Sequence, residues 1–92
     1  MFNEEDKKLF VRAIEKWGWN SQIEMLIEEC SEVIQAIQKY KRIPDYDRYF
    51  NICEKIADVQ IMIAQIETSA DYKDLISHVR DLKLLKLRKL LE

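Results

Sequence analysis

Apolar residues recur at intervals of three and four along nearly the whole chain, with breaks at Gly18, at Pro44–Asp47 and at Thr68–Asp71. That period belongs to amphipathic helices, and three breaks predict four of them. The first runs from about Asn3 to Trp17. Asn3 suits the N-cap, Glu4, Glu5 and Asp6 suit the positive end of the helix dipole, and Gly18 ends the helix. Ser21-Gln22-Ile23-Glu24 has the form of a capping box and predicts a second helix running to about Arg42. The third is expected from about Asp47 to Glu67 and the fourth from beyond Asp71 to the C-terminus. Short connections favour antiparallel neighbours, so the expected architecture is all-α: one four-helix bundle-like domain over residues 1–92.

The second helix carries two stripes. Ile23, Leu26, Ile27, Cys30, Val33, Ile34 and Ile37 form the expected core stripe. Gln22, Met25, Glu29, Glu32 and Ala36 line up beside it. The third helix is apolar round most of its circumference, which predicts burial on more than one side and hence a partner subunit. Its polar edge, Asn51, Lys55, Asp58 and Met62, has the spacing of the Gln22–Ala36 stripe. Gln60 stands among Ile56 and Ile63 and is expected to hydrogen-bond in a core or an interface. Tyr72, Leu75, Ile76, Val79, Leu82 and Leu90 form the packing face of the fourth helix, with Lys83 and Lys86 on the same face.

Composition narrows the class. The chain has 92 residues, one Gly and one Pro, with 48% hydrophobic and 35% charged residues. So few turn formers exclude a sheet protein, and so many apolar residues exclude disorder. A chain this small buries only roughly 60–65% of its unfolded surface, which again favours a homo-oligomer, a homodimer or a dimer of dimers. A net charge of −2 disfavours a nucleic-acid partner. No apolar run is long enough for a membrane span and no signal peptide is recognisable, so the expected location is cytoplasmic. Cys30 and Cys53 then stay reduced, and their places on apolar stripes predict buried thiols. His78 is expected at the surface.

The candidate chemistry lies on the acidic stripe. Glu28, Glu29 and Glu32 fall within five residues and repel one another on a helix. A solvated acidic face is the ordinary account of such a cluster. The sharper one is a cation site, because hard cations such as Mg²⁺ take clustered carboxylate oxygens. Lys83 and Lys86 admit a similar pair of readings, snorkelling to solvent or meeting anionic phosphates.

Glu28-Glu29-Cys30-Ser31-Glu32, followed after 21 residues by Glu54-Lys55-Ile56-Ala57-Asp58, resembles the paired EExxE and ExxD motifs of the all-α nucleoside triphosphate pyrophosphohydrolases, the MazG-like group. Ala13–Gly18 with Gln22 resembles the approach to the first motif in small members, and Leu82–Leu87 resembles their basic C-terminal helix. The resemblance covers nearly the whole chain. One position departs from it: Lys55 stands three residues before Asp58, where the pattern has Glu, and Glu54 is displaced by one step round the helix.

The resemblance implies an enzyme that splits an NTP or dNTP into the monophosphate and pyrophosphate, with Mg²⁺, or Mn²⁺ in its place, screening about four negative charges on the triphosphate. By motif position, Glu29, Glu32 and Asp58 would hold metal, with Glu54 as a weaker ligand. Glu28 would orient or deprotonate the attacking water, or serve as an extra ligand. Lys83 and Lys86 would contact phosphates. Trp17 and Gln22, together with Trp19, would wall the base, although ordinary packing also accounts for the tryptophans. Lys55 opens an alternative: its ammonium could pair with Glu29 or Glu32 and fill the metal position, leaving a nucleotide-binding or regulatory relative with impaired catalysis.

Overall fold

The computed structural model describes residues 1–68 and 73–92, the side chain of Lys73 excepted. Four helices account for nearly all of them: α1 (Glu4–Trp17), α2 (Trp19–Arg42), α3 (Tyr46–Thr68) and α4 (Lys73–Leu91). No strand occurs among the described residues. The expected break at Thr68–Asp71 falls, apart from Thr68, outside them, and so does Tyr72. Among the described residues, no helix is long and apolar enough to cross a membrane.

The start of α1 is closed by a reciprocal cap. The Asp6 N–H donates to Asn3 Oδ1 at 2.8 Å, and the Asn3 N–H donates to Asp6 Oδ2 at 3.1 Å. Phe2 then sets its ring edge-on against Phe10, centroids 5.1 Å apart. Asn3→Ala removes the acceptor of the Asp6 N–H and is expected to cost about 1 kcal/mol in urea unfolding. An unchanged unfolding midpoint would show that the cap contributes nothing.

Gly18 alone separates α1 from α2. Its φ of +89° with ψ of 153° is backbone that a residue with a Cβ adopts only under strain. The Gly18 N–H donates to Ile14 O at 2.8 Å and its carbonyl receives the Gln22 N–H at 3.2 Å, so it closes one helix and opens the next. The start expected at Ser21 is therefore late by two residues: α2 begins at Trp19, without a side-chain cap, and Ser21 lies inside it. At the other end, Pro44 follows Ile43. Asp45 restarts the chain by accepting the Arg48 N–H at 2.9 Å and pairing with the Arg48 guanidinium.

α2 and α3 pack along their length as an antiparallel hairpin, with α1 laid mainly on α3 and α4 touching α3 alone among the described helices. The faces of the hairpin differ in part from the sequence expectation: Ile23, Leu26 and Val33 of the expected core stripe are half-buried, and Met25 of the mixed stripe is exposed. The stripe that lies between α2 and α3 is the mixed one: Gln22 and Ala36 are buried at 4% and 2% exposure, and Met62 is buried opposite. The expected core stripe of α2 is centred about a third of a turn away, with Ile27 and Ile34 nearly opposite the seam. Ile27, Ile34 and Ile37 are exposed there, and Cys30 and Cys53 are exposed rather than buried. On α3, Ile56 and Ile63 lie about a third of a turn from the seam and are exposed too. In an antiparallel pair the two flanks turn to the same side, so the hairpin presents one broad apolar face (α1 covers the other).

This face, together with α4, whose expected packing residues Leu75, Val79, Leu82 and Leu90 are exposed, leaves the chain under-buried. Its accessible surface is 7488 Å², against roughly 5,700 Å² for a compact monomer of this mass. The radius of gyration, 15.8 Å, likewise exceeds the value of about 12 Å for a compact chain of this length. The fully buried interior is correspondingly small: Phe10, Ala36, Met62 and Ala64, with the amides of Gln22 and Gln65.

Candidate metal centre

Three of the sequence-derived ligands converge. Glu29 and Glu32 are one turn apart on α2, and the packing of the hairpin brings Asp58 of α3 opposite them. One carboxylate oxygen from each lies within 4.8 Å of the others. Lys55, one turn before Asp58, enters the same cluster: its Nζ donates to Glu32 Oε2 at 2.9 Å. The pair is partly shielded, with side-chain exposures of 30% for Lys55 and 40% for Glu32.

The electrostatics are unequal across the cluster. Burial, followed by the charges of Glu32 and Asp58, pushes the Glu29 carboxyl above its ordinary range, and Lys55 only partly opposes this. Glu32 is held below the ordinary range by the hydrogen bond and charge of Lys55. The same bond raises Lys55. One ammonium therefore satisfies one of three carboxylates. Glu29 Oε2 is left buried with no hydrogen-bond partner.

Such a donor set fits a hard divalent cation. It consists of carboxylate oxygens only, it contains a buried orphan acceptor, and a side-chain cation already stands at one of its members. Three protein oxygens would leave coordination positions open to water or phosphate.

The other expected site residues are not gathered here. Glu28 and Glu54 are exposed on α2 and α3 and lie outside the cluster. Gln22 is buried. Trp17 is 56% exposed, with Lys16 Nζ 5.5 Å from its ring centroid, and lines a groove of about 820 Å³ between α1 and α3 that shares none of the three carboxylates. Lys83 and Lys86 ride on α4, which makes no contact with α2. His78 is exposed, as expected.

The α1–α3 groove was not legible as a feature. Its lining, among it Leu9, Phe10, Ile61 and Gln65, is scattered over two distant segments. Gln60, the amide expected to be buried, is exposed on the single chain, whereas Gln65 is buried at 8% exposure and its Oε1 lacks a hydrogen-bond partner. No family model, curated protein or solved structure matches this chain. The functional reading therefore rests on the cluster and on the motif resemblance.

Proposed function

We propose that this chain is a Mg²⁺-dependent nucleoside triphosphate pyrophosphohydrolase of the MazG-like type, acting as a homo-oligomer. The observation that supports it is the convergence of Glu29, Glu32 and Asp58, at motif positions, from two facing helices. A divalent ion held there would screen the triphosphate and polarise the phosphorus to be attacked. The three carboxylates would bind and orient the ion. Glu28, exposed one residue from Glu29, is within reach of solvent and is assigned to the attacking water. Lys83 and Lys86 are assigned to phosphate, which requires α4 to approach a cluster it does not touch within one chain. The homo-oligomer is supported by the uncovered apolar face of α2 and α3.

The Lys55–Glu32 pair favours a second reading, a nucleotide-binding or regulatory relative in which the ammonium replaces the metal. One assay separates the two. Pyrophosphate release is measured over a panel of ribo- and deoxyribonucleoside triphosphates, with Mg²⁺ and with chelator. The enzyme reading expects metal-dependent release that disappears in Glu32→Ala. Silence of the native chain with recovery in Lys55→Glu would establish the second reading. Silence of both would sink the enzyme.

A further inference from the structure

The ion pair at the centre of the cluster has a consequence for how a metal would be taken up. We infer that Lys55 is a displaceable, tethered counter-ion, which holds Glu32 when no triphosphate is bound and transfers its ammonium to phosphate when one arrives, releasing Glu32 to the metal. This inference rests on the proposed metal centre and adds to it an order of events.

Three observations carry it. The first is placement. Lys55 Nζ is 2.9 Å from Glu32 Oε2, so the ammonium and a divalent ion bound to the same carboxylate would compete for one donor and repel each other. The second is incompleteness. Three carboxylates against one ammonium leave the cluster net negative, and Glu29 Oε2 remains buried without a partner. Lys55 therefore occupies the position of a cation without satisfying the whole site. The third is reach. A lysine ammonium is a compact charge on a flexible four-carbon stem, and this one is 30% exposed, so it can swing off Glu32 while its backbone stays fixed in α3.

A triphosphate is the partner whose chemistry draws such a group away. Its oxygens accept charge-assisted hydrogen bonds, as Glu32 does, and they carry more negative charge. Movement of Lys55 onto phosphate would make metal and nucleotide each tighten the binding of the other, because linkage is reciprocal. A lysine that merely decorated the surface would not do this, since exposed ion pairs contribute little on their own.

The test uses the full chain carrying Lys55→Met, with Lys55→Arg as the charge-conserving control and circular dichroism to confirm folding. Two affinities are measured by titration calorimetry: for Mn²⁺ alone, and for inorganic pyrophosphate in the presence of chelator. Lys55→Met is expected to tighten Mn²⁺ binding about tenfold or more and to weaken pyrophosphate binding severalfold, while Lys55→Arg stays near the native values. Equal Mn²⁺ affinity in the native chain and Lys55→Met would overturn the inference while leaving the metal centre standing. Unchanged pyrophosphate affinity would overturn it as well, since Lys55 would then only block the site. Absence of Mn²⁺ binding in every variant would remove the metal centre, and the inference with it.

Discussion

A chain carrying Ile34→Asp together with Ile63→Asp is expected to sediment as a monomer, and the native chain as an oligomer. Both residues lie on the uncovered flank of the α2–α3 hairpin, at 58% and 41% exposure. If the chain worked alone, aspartates at such positions would change stability by less than about 0.5 kcal/mol. The surface argues otherwise. The chain exposes about 1,800 Å² more than a compact monomer of its mass, shared between this flank and the nearly bare α4, and a subunit of an obligate dimer covers a comparable amount. Isoleucines at the centre of that interface would each be worth about 1.5–3 kcal/mol, and buried carboxylates in their place would be prohibitive. The native chain should accordingly melt at a temperature that rises with protein concentration, and the double variant should not. Equal masses for the two proteins in analytical ultracentrifugation would refute the interface.

Glu29→Gln is the second large effect, and its two parts have opposite signs. Pyrophosphate release should fall on the order of a hundredfold or more, as expected when a metal ligand or its support is lost. Stability without metal should rise. Glu29 is the carboxylate that burial and the neighbouring charges of Glu32 and Asp58 push above its ordinary value of 4.5. A raised carboxyl binds its proton more tightly in the folded chain than in the unfolded one. Its ionisation therefore destabilises the fold, beginning as pH rises past the unfolded value and complete above the folded one. The gain from Glu29→Gln should thus be full above the folded value and shrink as pH falls toward 4.5. The Lys55–Glu32 pair behaves in the contrary sense. The contribution of Glu32, whose carboxyl is lowered, is present above 4.5 and is lost as pH falls through the folded value. That of Lys55 is present below 10.5 and is lost as pH rises through its raised value. Melting curves of both proteins from pH 4 to pH 8 check the Glu29 contribution. A variant less stable than the native chain at pH 7 would contradict the account of Glu29.

The sequence conveyed the helices better than the faces. Asn3, Gly18 and Pro44 act locally, through a cap, a backbone angle and a missing donor, so their effects are readable one residue at a time. The start of α2 was misplaced because Gly18 does two jobs at once, which leaves Ser21 with no cap to make. The exposure of part of the expected core has a deeper cause. Periodicity shows which side chains share a stripe, but not what that stripe meets. The three-four spacing of Ile27 and Ile34 predicts core, and Cys30 and Cys53 share such stripes, yet all four are exposed. The cluster itself was legible because Glu29, Glu32 and Asp58 keep helical spacing on helices joined by a short loop. The Lys55–Glu32 contact was one of two pairings the sequence left open, and only the packing of α2 on α3 chose between them. For Lys83 and Lys86, stripe position on α4 carried no information about distance from α2.

Glu29, Glu32, Lys55 and Asp58 all belong to one helical hairpin of one chain. The loop that joins its arms is short and secured by the Asp45 cap and by Tyr40 against Tyr49, with ring centroids 5.9 Å apart. Assembly of the carboxylate cluster is therefore a first-order event, as fast as local helix pairing and indifferent to dilution. Covering the isoleucine flank is second-order and slows as the protein becomes scarce. In the proposed homo-oligomer, a newly made chain would thus carry the assembled carboxylate cluster before it meets a second copy.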